Sequence, residues 1–330
     1  MSENTTGQYS RNSIPGEELR VFEKYIRAHP ELFDTEYIRE TYNKQGLKLF
    51  FDPLANDLLQ PAKEALLKQR PFSAVRIGDG EANFLAFGAY KGTPNLDRYA
   101  FAASIANQKD SFRVNETWML VLRELMRHAV LSADIVGVLG LWTPIPAKGG
   151  SLDAVVDNFH KDPRGVPGHL RGIDLMLRWA TEGHFKSKCL APAHLYFSVI
   201  CHLEELILLT EKVICITDKQ LVVDALRQKF SNSQFEQIIV GKWQNSSGSD
   251  VALPGFLSKV EAELPEDMTG CLCLIGAGVW AEFYCTLAKQ RGGVAIDIGS
   301  GFDLLAGISS RPVHKYLSDS LITNLKIINN

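Results

Sequence analysis

The chain has 330 residues, of which 45% are hydrophobic and 22% charged, a globular mixture that excludes a disordered, collagenous or fibrous protein. Its 35 Lys and Arg against 38 Asp and Glu leave a net charge of −3, without the positive excess that binding to nucleic-acid phosphates usually brings. A chain this long can bury about 75% of its unfolded surface, so it needs no disulfide or metal staple. The six cysteines form no C-x-x-C pair and no zinc-finger spacing, and are read as reduced thiols of a cytoplasmic protein. Residues 1–16 lack the apolar core of a signal peptide. The richest apolar stretch, 195–209, is broken by His202, Glu204 and Glu205, so no membrane span is expected.

In chain order, residues 1–16 read as a flexible tail rich in Ser, Asn, Thr and Gly. Residues 17–59 read as an N-terminal helical extension. One helix over 17–29 places Leu19, Phe22, Tyr25 and Ile26 at helical spacing and is stopped by Pro30; a second runs over about 34–42. From 60 to 330 the pattern is that of a single α/β domain. Helices are expected over 61–70, 81–90, 116–128, 172–182, 219–230, 254–264 and 279–290. Strands are expected over 72–77, 135–139, 212–217, 235–240, 271–275 and 294–298. Strands alternating with helices predict a Rossmann-like, mainly parallel sheet with helices on both faces. The long segment 143–169, with Pro144, Pro146, Gly149, Gly150, Pro163, Gly165, Pro167 and Gly168, reads as a loop. Its two readings are a binding loop or lid, and a surface excursion with a short helix near 152–159.

The first chemical signal is Arg76-Ile77-Gly78-Asp79-Gly80-Glu81, a strand end running into a glycine-bracketed turn and a helix. In parallel α/β sheets ligands bind outside the carboxyl ends of strands. Gly78 and Gly80 would let the backbone turn sharply. Asp79 and Glu81 could face one hard cation, Mn²⁺ or Mg²⁺, of the kind held by carboxylates and substrate phosphates. Arg76 suits a phosphate or could orient one of the acids. The plainer alternative makes Asp79 an N-cap and Glu81 a first-turn acid.

The second signal is Cys271-Leu-Cys-Leu-Ile-Gly276-Ala-Gly278-Val-Trp-Ala281. It matches G-x-G-x-x-A, and Asp297 follows at the spacing of a dinucleotide fingerprint. The turn fits a diphosphate carrier at large, a nucleotide-sugar or NAD. The alternative is a turn whose glycines only permit close packing. Asp303, past the next strand, reads as a cap for a short helix.

Taken together, the Arg76–Glu81 segment, Ile275-Gly-Ala-Gly278, Arg291-Gly-Gly-Val-Ala-Ile-Asp-Ile-Gly-Ser300 and Phe302-Asp-Leu-Leu-Ala-Gly307 resemble the GT-D-fold glycosyltransferases. These are bacterial enzymes that build surface or secreted glycans. The similarity spans roughly residues 60–312 and is concentrated at its two ends. It implies transfer of a sugar from a nucleotide-diphosphate sugar, with UDP the favoured nucleotide, to a glycan or glycoconjugate acceptor. On this resemblance Asp79 and Glu81 are the metal and diphosphate acids, Gly78 and Gly80 shape the turn and Arg76 supports it. Gly276, Gly278 and Asp297 line the nucleotide side. The run Ile216-Thr-Asp-Lys-Gln220 departs from the family's glutamate- and arginine-bearing pattern, so the resemblance does not carry a base.

If transfer proceeds with inversion, a general base must take the acceptor's proton. Asp218, ending a strand, is the first candidate, with an N-cap role as its alternative. His194 and His202 could share a helical face and bind acceptor or phosphate. Lys148, Lys161 and Arg164 could close over a diphosphate, and among the five tryptophans a sugar-stacking platform is conceivable. Two other classes stay open: an NAD-dependent oxidoreductase using the C-terminal glycine turn, and a non-catalytic sugar-nucleotide-binding module. Homo-oligomerisation is left open.

Overall fold

The computed structural model describes residues 7–105, 112–114, 116–142, 151–240, 255–317 and 327. In chain order the elements are β1 (Gly7–Tyr9), α1 (Gly16–Ala28), α2 (Thr35–Asn43), β2 (Lys48–Leu49), α3 (Gln60–Leu67), β3 (Phe72–Arg76), α4 (Asp79–Leu85), α5 (Pro94–Ile105), β4 (Phe112–Val114), α6 (Glu116–Ser132) and β5 (Ile135–Val138). There follow α7 (Leu152–Lys161), α8 (Gly165–Thr181), β6 (Cys189–Pro192), α9 (Tyr196–Cys201), α10 (Leu203–Leu208), β7 (Lys212–Ile216), α11 (Gln220–Lys229), β8 (Gln234–Ile238), α12 (Gly255–Glu263), β9 (Leu272–Ile275), α13 (Ala281–Gln290), β10 (Val294–Asp297) and α14 (Gly301–Leu305).

Eight strands form one parallel sheet in the order β2-β6-β5-β3-β10-β9-β7-β8, the Rossmann-like α/β architecture read from the sequence. Strands β5, β9 and β10 are buried at every residue, and β3 and β7 at all but one end. This is the signature of strands covered on both faces, and it explains their unbroken Val, Ile, Leu, Ala and Cys runs. The six strands expected from the sequence are all present. Strands β2 and β6 were not expected, because two residues and a Pro-terminated four carry no periodicity.

The chain divides into two compact units. The first comprises Met1–Asp52, Arg76–Leu131 and Val136–Ala193. In it α1 and α2 bury Phe22, Ile26, Ile38 and Tyr42. Helix α2 begins at an N-cap, Asp34, whose carboxylate accepts the Glu36 and Tyr37 N–H groups. Glu18 of α1, itself buried, accepts from Asn95 N at 2.8 Å, Leu96 N at 2.9 Å and Asn95 Nδ2 at 2.7 Å. It thereby caps α5 from a distant helix and satisfies N–H groups that the first turn leaves without intrahelical partners. The tail expectation changes from residue 7 onward: β1 pairs antiparallel with β4. Within the segment 143–169, the short helix read near 152–159 is present as α7, and the loop expectation changes from Gly165, where α8 begins. The Ser151 hydroxyl caps α7 by accepting the Ala154 N–H, and Pro167 lies in the first turn of α8, where its missing N–H costs nothing. Residues 143–150, with Lys148, lie outside the described residues.

The second unit comprises Pro53–Val75, Ser132–Ile135 and His194–Asn330. Its strands keep tight register: β10 pairs Val294 with Phe72 of β3 and with Leu272 of β9, and β7 pairs with both β9 and β8. All six cysteines are free; Cys215, Cys271, Cys273 and Cys285 are buried in this unit. Among the described residues no helix is long and apolar enough to cross a membrane.

Candidate functional site

In the first unit, β3 ends at Arg76 and the chain turns through Ile77 and Gly78 into α4. Gly78, not Asp79, is the N-cap. Glu81 folds back, and its Oε2 accepts the Gly78 N–H at 2.9 Å, the carboxylate half of a capping box. Asp79 is the first residue of the helix. Its Oδ2 lies 3.3 Å from Nη2 of Arg164, with the aspartate side chain 31% and the arginine 13% exposed. Arg76 donates from Nη1 to the Ala193 carbonyl at 3.4 Å. Both acids therefore occupy the first helical turn, where backbone N–H groups and the helix dipole favour negative charge. Gly80 is buried inside the turn.

Helix α8 holds this turn at very close range. A Cβ on Gly168 would stand 2.2 Å from the Asp79 carbonyl oxygen, and one on Gly172 would stand 2.7 Å from Ala82 Cβ. Two glycines four residues apart thus let α8 lie backbone to backbone on α4. Just before α8, Asp162 Oδ1 accepts from Arg164 N at 3.1 Å and Gly165 N at 3.2 Å. Asn83, buried on α4, donates to the Arg164 carbonyl at 3.2 Å and to Ser104 Oγ at 3.1 Å. Arg164 was read from the sequence as one of several loop cations. The roles of Asp162, Asn83 and the two glycines were missed, although Asp162-Pro-Arg-Gly carries the signature of an Asp-initiated turn.

Deeper in this unit, Arg171 and Asp97 form an ion pair at 2.8 Å with both side chains 2% exposed. Thr93 Oγ1 accepts from Arg171 and donates to Asp97, and the guanidinium lies 4.8 Å from the Phe22 ring and 4.9 Å from the Tyr90 ring. Burial raises the Asp97 carboxyl pKa even against the pull of Arg171. The Tyr90 hydroxyl donates to Asp174 at 2.6 Å. This network ties α1, α5 and α8 together; it supports the acidic turn without belonging to it.

In the second unit, β7 leads to β8 on one side while β9 leads to β10 on the other. The β7/β9 border is therefore a topological switch point, the place where parallel α/β sheets generally bind ligands. Gly276 N donates to the Ile216 carbonyl at 2.9 Å, which brings the end of β9 beside Thr217 and Asp218. The two glycines of the turn do different work. A Cβ on Gly276 would meet Phe302 Cδ2 at 2.5 Å, so this glycine serves packing. Gly278 has φ +58 and nothing within 4 Å of an added Cβ, so it is left-handed and faces open space. A 3-10 turn over Gly278–Trp280 precedes α13.

Asp218 stands at the carboxyl end of β7, 30% exposed and 4.0 Å from Lys219 Nζ. The N-cap of α11 is Lys219, and the N–H at that cap goes to Thr217 Oγ1, so the capping role weighed for Asp218 is not realised. Asp303 does not cap α14 either; the cap is Ser300. Instead Asp303 lies 2.8 Å from Lys219 Nζ and accepts from Ser310 Oγ at 2.6 Å, which raises the Lys219 pKa. Asp297 is 1% exposed and accepts from Gly299 N at 2.9 Å. His194 precedes α9 and His202 separates α9 from α10, so the two do not share one helical face. Trp179 and Trp280 are buried, and Trp243 lies outside the described residues. Two buried polar residues were missed in this unit: Glu282, in the first turn of α13, and His314, whose Nε2 lies 3.0 Å from the Tyr196 hydroxyl and whose pKa burial lowers.

Among the described residues no group of three or more His, Cys, Asp or Glu side chains could hold a metal ion. Asp79 and Glu81 are the acids read from the sequence for Mn²⁺ or Mg²⁺, and in the structure Glu81 Oε2 accepts the Gly78 N–H. They are hard oxygen donors, two in number, the set typical of an ion whose remaining ligands are substrate phosphates and water.

A family model described as a GT-D fold-like domain matches residues 54–169. The matched stretch runs from before α3 into α8 and contains the Arg76–Glu81 turn, Asp162 and Arg164; it stops short of the second glycine turn. This part of the chain is thus similar to a GT-D fold-like domain, in line with the resemblance read from the sequence. No curated protein and no solved structure matches the chain.

Proposed function

We propose that the protein is a glycosyltransferase moving a sugar from a nucleotide-diphosphate sugar, with UDP the first nucleotide to test, to a glycan or glycoconjugate acceptor. The observation that carries this reading is the acidic turn: two carboxylates in the first turn of α4, directly after β3, inside the stretch that matches a GT-D fold-like domain. Cleaving an anomeric carbon–diphosphate bond builds charge on the leaving diphosphate. A divalent ion held by Asp79 and Glu81 would supply neutralising charge there. The first-turn N–H groups of α4 add fixed positive polarity, and Gly78 and Gly80 keep the backbone narrow at that point.

Of the second unit's three residues read as lining the nucleotide side, Gly278 alone faces open space; Gly276 packs on Phe302, and Asp297 is buried and receives the Gly299 N–H. The exposed, left-handed Gly278 therefore carries the nucleotide assignment in this unit, since nothing stands within 4 Å of where its side chain would be. Asp218 is the base candidate for an inverting transfer, supported by its freedom from the helix cap. The oxidoreductase reading draws on the same glycines, but it needs Asp297 to reach a ribose. That carboxylate is 1% exposed and receives the Gly299 N–H, so the reading has less support.

Calorimetric titration of UDP and other nucleoside diphosphates with and without Mn²⁺ tests the proposal. Metal-dependent binding of at least one is the expected result, and none for any nucleotide would reject it. A thermal-shift response to NAD without metal would favour the oxidoreductase, and binding without turnover across donors would favour a sugar-nucleotide-binding module.

A further inference from the structure

We propose that Arg164 is a phosphate-binding residue of the acidic turn, paired with Asp79 until a diphosphate takes its guanidinium. The inference rests on the glycosyltransferase reading for the identity of the natural ligand and on the first unit's geometry for the residue. Arg164 is not a loose surface cation. Its backbone N–H is fixed by Asp162 Oδ1 at 3.1 Å, and its carbonyl accepts from Asn83 Nδ2 at 3.2 Å and Gly168 N at 3.1 Å. Gly168 in turn presses against the Asp79 backbone. Three separate constraints therefore place this side chain beside Asp79, with only 13% of it exposed.

The guanidinium so placed is under-used. It gives Asp79 a single contact, Nη2 to Oδ2 at 3.3 Å, longer than the 2.7–2.9 Å usual for charge-assisted hydrogen bonds. Its Nε is buried without a hydrogen-bond partner. Buried arginine donors normally find acceptors, and a planar fork offered to one carboxylate oxygen is the geometry of a group awaiting a better match. A phosphate, with several oxygens, can take two donors of the fork at once. That exchange would leave Asp79 without its cation at the moment a diphosphate arrives, so its carboxylate would become available to the ion accompanying the ligand. The acid and the arginine thus compete before binding and divide the ligand after it.

The test uses inorganic pyrophosphate as the probe, titrated into the full-length protein by calorimetry without divalent metal and with EDTA present. Wild type should bind it, and Arg164→Ala should weaken binding about tenfold or more, the worth of one charge-assisted contact. Arg164→Lys, which keeps the charge, should fall between. The decisive variant is Asp79→Asn. It removes the competitor for the guanidinium, so metal-free pyrophosphate binding should tighten, and the gain should vanish when Arg164→Ala is combined with it; an equal gain in the double variant would reflect only the lost negative charge and would overturn the proposal. Equal affinity of wild type, Arg164→Ala and Asp79→Asn would overturn the proposal, as would absence of metal-free binding to wild type. If Arg164→Ala does not fold, the Asp79→Asn and Arg164→Lys comparison decides. The outcome separates from that of the parent reading. Metal-dependent nucleotide binding insensitive to Arg164 would remove this inference alone. Arg164-dependent pyrophosphate binding with no nucleotide binding would remove the transferase and keep it.

Discussion

The two glycine turns at strand ends share a sequence plan, strand then glycine-x-glycine then helix, and meet different physical demands. After β3 the turn carries charge, and the protein already engages it: Glu81 closes onto the Gly78 N–H and Asp79 faces Arg164. After β9 the turn carries no charge. One of its glycines is consumed by packing on Phe302, and the other, Gly278, looks into open space. The contrast teaches that a glycine's meaning lies in what a Cβ would meet. Crowding by backbone or core marks a packing glycine, whereas vacancy with positive φ, seen also at Gly46 in a turn, marks one kept for its backbone conformation and leaves room at its surface.

Substitutions can break this contrast. The largest effect is expected at the charged turn: Asp79→Asn should lower turnover with a metal and nucleotide-sugar donor by about 100-fold or more while leaving the melting curve close to wild type. Turnover equal to wild type would show that the turn's charge has no catalytic part. Next comes Gly168→Ala, whose methyl would collide with the Asp79 main chain; a loss of about 3 kcal/mol or more in urea denaturation is expected. Third, Gly276→Ala should cost about 1–3 kcal/mol by displacing Phe302, whereas Gly278→Ala should cost only about 1 kcal/mol for its left-handed backbone and yet weaken nucleotide binding. Reversal of that order would undo the assignment of the two glycines.

The smallest effect concerns pH. Burial lowers the His314 pKa below its unfolded value near 6.5, so the native state holds the ring neutral. The unfolded chain then takes up the proton first on acidification. The stability contributed is complete above about pH 6.5 and declines as pH falls below it. Denaturation midpoints at pH 7.5 and 5.5 should differ more in wild type than in His314→Gln.

Much of the fold was legible because buried parallel strands advertise themselves as apolar runs, as β3, β5, β7, β9 and β10 do, while β8 at the sheet edge alternates. The strands β2 and β6 were not, since β2 has only two residues and β6 ends in a proline, which reads as a breaker. The 143–169 segment misled because its prolines and glycines read as breakers. In the described part, Pro167 sits in a first turn and Gly168 and Gly172 are contact points between helices, so the same residues that end helices in isolation assist one here. The acids of the first turn were visible as a motif. Arg164 could be seen only as a charge, because its partner is 85 positions away in sequence and brought near by the α4–α8 packing. The Asp97–Arg171 pair was invisible for the same reason: its two ends lie on helices whose approach no local pattern encodes.

Glu18 bears on how the chain is made. It serves as the starting anchor for α5, 77 residues further on at Asn95. During synthesis from the amino end, α1 is born long before the helix it completes. Until Asn95 and Leu96 emerge, the acid that ends up buried has water in place of those amides. Helix α1 can therefore reach its final seat only once Asn95 and Leu96 have been translated.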